Sequence, residues 1–259
     1  MSVLTTRDWH RRCQEQAAWT GDIRSYLYRC AGIAAAKRIL EVGCGTGVIT
    51  TELKGVPSAQ VYGLDLAGDR LALASQFTPR ASFIQGNALA LPFANCIFDI
   101  TLCHFLLLWL PHPQQALAEM ARVTHPGGAI LLLAEPDYGG RIDYPPNLAR
   151  IGLLQAESLR RQGADPNTGR QLSTLLGRAG LTDIETGVLG GQWRIPYPAD
   201  AAQSEWQMIT DDLQKMLPAT ELAELRQQDQ SAWQRGERIL FVPTFYAWGR
   251  VPSGSRKIS

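Results

Sequence analysis

Five short apolar runs, each followed by a helical or loop segment, constrain the fold of this chain most strongly. The runs lie at residues 38–43, 59–65, 81–87, 96–104 and 127–136, and helical patterns between them include residues 46–54, 67–77 and 113–123. The runs carry apolar residues on both faces rather than on alternate positions, which is typical of strands covered by helices on both sides. This alternation predicts β-α-β units and a mostly parallel sheet.

The segments on either side of this core predict helices that cap the sheet. Residues 1–36 read as an N-terminal helical cap with a break at Gly21-Asp22, and residues 137–259 as capping helices and closing strands around a core at 37–136. In the last part, residues 137–146 are rich in turn formers; helices are predicted at 147–162, 169–179, 199–216 and 219–235, and strands at 181–190 and 239–251. The 259 residues therefore predict a single α/β domain with a Rossmann-like sheet of about seven strands.

Composition excludes several classes of protein. The 25 Lys and Arg residues nearly balance the 24 Asp and Glu residues, for a net charge of +1, so no nucleic-acid partner is expected. Five cysteines without a C-x-x-C pair predict neither a disulfide framework nor a metal site. The most apolar stretch, residues 97–110, is shorter than the ~20 residues of a membrane span. Because no apolar secretory segment is seen near the start, we expect a cytoplasmic protein.

The segment Glu41-Val-Gly-Cys-Gly-Thr-Gly47 joins the first predicted strand to the first predicted helix of the core. Glycines at alternate positions let the backbone turn tightly and approach a ligand closely. The helix behind them offers unpaired N–H groups and the positive end of its dipole. The second predicted strand ends at Asp65, where a carboxylate can accept hydrogen bonds from both hydroxyls of a ribose. These features predict a nucleoside site at the carboxyl ends of the strands.

Two kinds of nucleoside cofactor share this plan. A dinucleotide site is typical of G-x-G-x-x-G spacing, which places the pyrophosphate against the helix N-terminus. Here the spacing is G-x-G-x-G, Val48 follows it, and the acidic Glu41 leads the loop. We expect that carboxylate to repel a pyrophosphate and to favour the cationic amino acid part of S-adenosylmethionine. A nicotinamide oxidoreductase is the weaker alternative.

Four segments in one order resemble class I S-adenosylmethionine-dependent methyltransferases. EVGCGTG at 41–47 is similar to the glycine-rich first motif of that family, and GLDLAG at 63–68 carries its ribose-binding acid. Residues 86–109 are similar to the third and fourth motifs, and residues 117–137 resemble the fifth-strand region. The resemblance covers residues 37–136 well and the later part loosely. It looks most like the small-molecule branch that includes quinone-biosynthesis enzymes.

The resemblance implies which residues of the loop bind the cofactor. Gly43, Gly45 and Gly47 would wrap its methionine and ribose parts, and Glu41 would meet its amino group. Cys44 lies within this contact set, and we expect a small apolar filler there rather than a nucleophile.

The resemblance also implies contacts for the ribose and the adenine. Asp65 would hold the ribose hydroxyls, with Leu66 beside the adenine. Asn87 stands where the family usually has an Asp that binds the adenine amino group, and Ala88 would offer its backbone N–H to the ring. The alternatives are a helix cap or a solvated strand end for Asp65, and a turn-forming role for Asn87.

The end of the fourth strand and the N-terminal helices would complete the pocket. Cys103 and His104 would lie nearest the sulfonium, and His104 is the candidate catalytic base. The alternative for His104 is an ordinary polar residue at a strand end. Trp19 could attract the sulfonium through its ring and Arg24 could clamp the carboxylate, against the alternatives of core packing and a solvated face.

The acceptor pocket is expected after the fifth strand, since open α/β sheets bind ligands at the carboxyl ends of their strands. Asp137, Tyr138, Arg141 and Tyr144 are the candidates there, with a simple turn as the alternative. The predicted function is methyl transfer to a small molecule by in-line displacement. A protein that binds S-adenosylmethionine without transferase activity, as a sensor or subunit, is the alternative. The acceptor atom and the oligomeric state stay open.

Overall fold

The computed structural model describes residues 5–191 and 199–253 of the chain. Two helices come first, α1 (Thr6–Trp19) and α2 (Gly21–Ala31). A capping box begins α1, because the Thr5 hydroxyl accepts the Asp8 N–H while the Asp8 carboxylate accepts the Thr5 N–H. The predicted break at Gly21 is the point where the two helices meet.

The core alternates strands with helices as the five apolar runs predict. Its elements are β1 (Arg38–Val42), α3 (Val48–Leu53), β2 (Gln60–Asp65), α4 (Gly68–Phe77), β3 (Ser82–Gln85), β4 (Phe98–Cys103), α5 (Pro113–Val123) and β5 (Thr124–Pro136). These strands lie in the order β3-β2-β1-β4-β5, and each neighbouring pair is parallel. The strand order changes direction at β1, so a crevice opens between the carboxyl ends of β1 and β4.

The rest of the chain adds further strands and the cap. Its elements are β6 (Ile142–Tyr144), α6 (Ala149–Arg161), α7 (Leu172–Arg178), β7 (Thr182–Leu189), α8 (Ala199–Leu213), α9 (Ala219–Gln234), β8 (Ile239–Phe241) and β9 (Thr244–Arg250). β9 pairs antiparallel with both β5 and β7 and completes a seven-stranded sheet. The prediction of a mostly parallel, Rossmann-like sheet of about seven strands is confirmed.

The prediction of one continuous final strand at residues 239–251 is wrong. β8 pairs with β6 in a separate two-stranded sheet, whereas β9 joins the main sheet. Pro243 lies between them, and proline has no N–H with which to continue a ladder. Its carbonyl instead accepts the Asp137 N–H at 2.8 Å. The predicted turn at residues 137–146 correspondingly contains β6.

Apolar side chains fill both faces of the main sheet. Leu40 and Val42 of β1 join a cluster with residues of α5 and α7, whereas Ile39 joins one with residues of α2 and α3. This division follows from the alternation of side chains along a strand. A third cluster unites α6, α8 and α9. Within the described ranges, no helix has both the length and the hydropathy to cross a membrane.

Candidate functional site

Three glycines shape the loop between β1 and α3. The φ angles of Gly43, Gly45 and Gly47 are +75°, +51° and +77°, in the left-handed region that other residues rarely adopt. A Cβ added at Gly43 would lie 2.6 Å from Cδ1 of Leu106, whereas one added at Gly45 would meet no heavy atom within 4 Å. The loop is therefore tightly packed at its start and borders open space at Gly45. We call this space the glycine cradle.

Asp65 joins the end of β2 to this loop. Its Oδ2 accepts the Gly45 N–H at 2.8 Å and its Oδ1 accepts the Ala67 N–H at 2.9 Å. A carboxylate has about four lone-pair positions, so both oxygens retain capacity to accept hydrogen bonds from a ligand. Leu66 beside it is 70% exposed and offers an apolar surface. The sequence prediction that the loop and the acid meet at one edge of the sheet agrees with this geometry.

Glu41 lies at the end of β1 and is buried. Burial raises the pKa of Glu41 to about 8, although the Thr50 hydroxyl donates a hydrogen bond to its carboxylate and lowers the pKa in part. The expectation that the Glu41 carboxylate would repel a pyrophosphate therefore needs correction. The free acid is mostly protonated at neutral pH, and a cation brought close to it would favour ionisation.

Asn87 follows β3 in an exposed turn. Its Oδ1 accepts the Leu89 N–H at 2.9 Å, and its backbone forms an isolated bridge with Ala90. This is the turn-forming role that the sequence left as the alternative. The neighbouring Ala88 is buried. The contacts of both residues with an adenine stay predictions.

His104 follows β4 and contacts the N-terminal helices. Its Nε2 lies 3.0 Å from Oγ1 of Thr20, which also donates to the Gln16 carbonyl at 2.8 Å and accepts from Arg24. Because the single hydroxyl proton is directed at Gln16, the tautomer protonated at Nε2 satisfies this arrangement and leaves Nδ1 as an acceptor. Burial, and then the charge of Arg24, lowers the pKa of His104 to about 3. The ring is therefore neutral near pH 7.

The guanidinium of Arg24 is buried and largely committed within the protein. Its Nε lies 3.2 Å from both carboxylate oxygens of Glu52, and its Nη1 donates to the Ala17 carbonyl at 2.6 Å. These bonds join α2 to α1 and α3. Arg24 therefore links the helices, and its guanidinium is not free to bind a ligand carboxylate. Because Arg24 is buried, the alternative of a solvated face does not apply either.

Trp19 stands at the end of α1 beside the residues that follow β4. Its ring contacts Phe105 edge to face, with 5.7 Å between the ring centroids, and the side chain is 53% exposed. Phe105 in turn packs edge to face on His104. The structure therefore places an exposed aromatic surface near the His104 end of the crevice.

Cys44 and Cys103 are buried in this region. Burial raises the pKa of both thiols well above the ordinary value. A protonated, enclosed thiol is a poor nucleophile, so both cysteines act as small apolar fillers.

Of the four residues expected at the acceptor pocket, Tyr138 shares an apolar cluster with Phe105, the residue after His104. Both side chains pack against the buried side chains of Leu108, Leu159 and Ala164. Burial, and then the charge of Asp212, raises the pKa of its hydroxyl to about 12. The phenol therefore stays protonated and can serve as a hydrogen-bond donor at neutral pH.

The other three candidates have contacts within the cap. Asp137 is buried in a two-bond ion pair with Arg170. The buried side chain of Arg141 is paired with Asp143 at 2.7 Å. Tyr144 is exposed on β6. The structure does not bring these side chains together with Tyr138 as one set of free polar groups.

Two polar residues near the site were not singled out from the sequence: Thr50 and Glu135. Thr50 carries no sequence signal, since its role depends on the burial of its partner Glu41. Glu135 ends the fifth apolar run, at the sheet edge where ligands bind, and this position was a usable signal. In the described part of the chain, His, Cys, Asp and Glu side chains nowhere form a group of three suited to a metal ion.

Comparisons with known proteins agree with this geometry. Residues 40–132 match a family described as a methyltransferase domain. An uncharacterised methyltransferase of Schizosaccharomyces pombe is 34% identical over 171 residues, which are 61% of each chain. A demethylmenaquinone methyltransferase of Renibacterium salmoninarum is 35% identical over 118 residues, 45% of this chain and 49% of the relative. The chain therefore spans about half to three fifths of the length of these relatives.

A solved structure extends the agreement to most of the fold. Phosphoethanolamine N-methyltransferase 2 of Haemonchus contortus, in complex with phosphomonomethylethanolamine and S-adenosylhomocysteine, has a TM-score of 0.61 and 17% identity to this chain. The match covers 96% of this chain and 61% of that one, and at this identity it shows the fold alone. The ordered motifs, the seven-stranded sheet and these matches together show that the chain contains a class I S-adenosylmethionine-dependent methyltransferase domain.

Proposed function

We propose that this chain transfers the methyl group of S-adenosylmethionine to a small-molecule acceptor at the carboxyl edge of its sheet. The glycine cradle is the observation that carries the proposal. Any side chain at Gly45 would enter the open space there, so the loop is built to bring its backbone against a ligand. The adjoining acid, Asp65, borders the same space through its bond to the Gly45 N–H.

The surroundings of Asp65 support a nucleoside ligand. We assign the ribose hydroxyls to the remaining lone pairs of the Asp65 carboxylate, and the adenine to the exposed face of Leu66. Asn87 and Ala88 follow the adjacent strand, and we assign them to the edge of the adenine.

The state of Glu41 supports a cationic ligand. Its carboxyl group is buried, accepts one hydrogen bond from Thr50 and has a pKa of about 8. An ammonium or sulfonium nearby stabilises the carboxylate, whereas a pyrophosphate would oppose its ionisation. The pocket therefore favours S-adenosylmethionine over a dinucleotide.

We assign His104 to orienting the acceptor rather than to accepting its proton as a general base. With a pKa of about 3, the imidazole is a weak base at neutral pH. Its Nδ1 is left to accept a hydrogen bond from a hydroxyl or amine, while Thr20 holds Nε2. The aromatic side chains of Trp19, Phe105 and Tyr138 near this edge support an apolar or aromatic acceptor. The demethylmenaquinone methyltransferase among the relatives points to the same substrate class.

When bound, S-adenosylmethionine supplies a methyl group attached to a sulfonium sulfur. The sulfur leaves as a neutral thioether, so no acid is needed to protonate the leaving group. The side chains of this domain therefore have to align the acceptor and exclude water. Helix α1 and the junction at Thr20 that follows it are placed for the second task, because they contact both ends of the crevice. His10 lies 3.0 Å from the Thr46 hydroxyl on the glycine loop, and Thr20 reaches His104.

Calorimetric titration of S-adenosylhomocysteine and NADH, followed by turnover of S-adenosylmethionine with a panel of acceptors, tests this function. The panel contains hydroquinones, phenols, amines and thiols, and mass spectrometry detects the methylated product. We expect S-adenosylhomocysteine to bind and a hydroquinone or phenol to be methylated. Binding of NADH in its place would overturn the proposal. Binding without turnover across the panel would support the non-catalytic alternative.

Two variants give this test a matched comparison. Asp65→Asn removes a carboxylate that borders the glycine cradle, whereas Asp69→Asn changes an acid whose carboxylate accepts a hydrogen bond from the Thr6 hydroxyl at 3.0 Å. We expect only the first substitution to weaken the binding of S-adenosylhomocysteine, by about 1–3 kcal/mol. Equal binding by both variants would remove Asp65 from the proposed site.

A further inference from the structure

Glu135, at the end of β5, has a fully buried carboxylate with an unusual set of partners. Its Oε1 accepts the N–H groups of Leu106 and Leu107 at 2.8 and 2.7 Å, and its Oε2 accepts that of Leu108 at 3.3 Å. These three groups lie at the start of a short helical turn, where backbone N–H groups lack partners within the turn. One side chain therefore provides hydrogen-bond acceptors for all three backbone N–H groups at the start of the turn.

This turn forms a wall of the proposed cofactor site. The side chain of Leu106 lies directly against Gly43, since a Cβ there would be only 2.6 Å from Cδ1 of Leu106. Phe105, the residue before it, has a left-handed φ of +51° and donates its N–H to the Ala134 carbonyl at 2.9 Å. The end of β5 thus holds the turn through both its backbone and the Glu135 carboxylate.

Burying the Glu135 carboxylate costs desolvation free energy. Burial raises the pKa of Glu135 to about 7, although its three hydrogen bonds with backbone N–H groups lower it in part. A leucine of similar size would avoid the desolvation but would leave the three N–H groups without an acceptor. A glutamine offers only one oxygen, so its amide nitrogen would face the N–H of Leu108. Only the carboxylate accepts all three bonds.

We propose that Glu135 is a positioning residue, which shapes the cofactor pocket by holding Leu106 against Gly43. It acts through the turn, because its carboxylate binds the N–H groups of Leu106, Leu107 and Leu108 rather than the glycine loop. The proposal rests on the function proposed above, because the pocket it shapes is the one assigned to S-adenosylmethionine.

Hydrogen–deuterium exchange and calorimetry of Glu135→Gln and Glu135→Leu test the proposal. We expect faster exchange in the peptide that covers residues 104–110, with the larger effect in Glu135→Leu. We expect S-adenosylhomocysteine to bind about threefold more weakly to Glu135→Gln and at least about tenfold more weakly to Glu135→Leu. The intermediate behaviour of glutamine reflects the two hydrogen bonds that its single oxygen can keep.

Thr101→Val on β4 is the control for a general loss of stability. Thr101 is buried in the same sheet, and its hydroxyl contacts that of Thr124 at 3.0 Å, away from the turn. We expect this variant to be destabilised but to bind S-adenosylhomocysteine normally. Full affinity in a folded Glu135→Leu, or an equal loss in Thr101→Val, would overturn the positioning role. Failure of the unmodified protein to bind S-adenosylhomocysteine would instead overturn the proposed function.

Discussion

Gly45→Ala separates the stability of the glycine loop from its proposed function. Gly45 has a φ of +51°, and an added Cβ would meet no protein atom within 4 Å. The substitution therefore adds one methyl group to the glycine cradle and creates no clash within the protein. It changes the space that we assign to the cofactor.

The expected cost to folding is small. An L-residue in the left-handed region costs about 1–2 kcal/mol. Replacing glycine also reduces the entropy of the unfolded chain, which offsets about 0.4–1 kcal/mol. The free energy of unfolding should therefore fall by about 1 kcal/mol. The cost to binding is larger, because a methyl group forced into a fitted contact costs about 1–3 kcal/mol. That range corresponds to affinity for S-adenosylhomocysteine that is roughly 5- to 150-fold weaker.

The assay is calorimetric titration of S-adenosylhomocysteine beside denaturant unfolding of the free protein. Gly163→Ala is the matched control, because Gly163 has a φ of +86° and open space around it, in the turn after α6. It should lose similar stability and keep its affinity. Gly43→Ala should lose more stability than either, because its Cβ would strike Leu106. Unchanged affinity in Gly45→Ala, or an equal loss of affinity in Gly163→Ala, would refute the assignment of the cradle.

Three other predictions address charge and hydrogen bonding. Burial holds the pKa of Glu41 at about 8, so S-adenosylhomocysteine, with its ammonium group, should release a proton on binding at pH 7 and bind more tightly as the pH rises to 8. Calorimetry in buffers of different ionisation enthalpy measures this proton release, and Glu41→Gln should abolish it. If Glu41→Gln still releases a proton on binding, the proton comes from another group. Asp229→Ala leaves the fully buried Arg238 without one of its two carboxylate partners and should lower the free energy of unfolding by about 3–5 kcal/mol in a denaturant titration, whereas a loss below 1 kcal/mol would contradict the buried pairing. Thr20→Val removes the hydroxyl that holds His104 and should reduce kcat about tenfold with little change in cofactor affinity, and an unchanged kcat would argue against that support.

Local patterns were sufficient to predict the core and the loop. The apolar runs predicted β1 to β5, because a strand buried on both faces has to be apolar along its whole length. The glycines at 43, 45 and 47 and the acid at 65 were predicted to share one edge, because parallel strands bring their carboxyl ends together. The structure shows this proximity directly in the bond between Asp65 and the Gly45 N–H.

Predictions about the state of single side chains were less successful. Glu41 was expected to be an anion, but its burial raises its pKa to about 8. Arg24 was expected to meet a ligand or solvent, but it is buried against Glu52. Asp137 was a candidate for the acceptor pocket, but it is paired with Arg170. In each case the partner or the burial comes from a different element of the fold.

The order of apolar runs, glycines and turn formers by itself determined the layered α/β architecture and the position of a nucleoside site within it. Those features depend on backbone conformation and on which faces of an element are covered, and both are recorded in neighbouring residues. Only the tertiary structure decided the division of the final strand between two sheets, the neutral state of His104 and the hold of Glu135 on Leu106. Each of these depends on solvent exclusion and on hydrogen-bond partners that distant segments supply, and short-range sequence patterns carry no record of either.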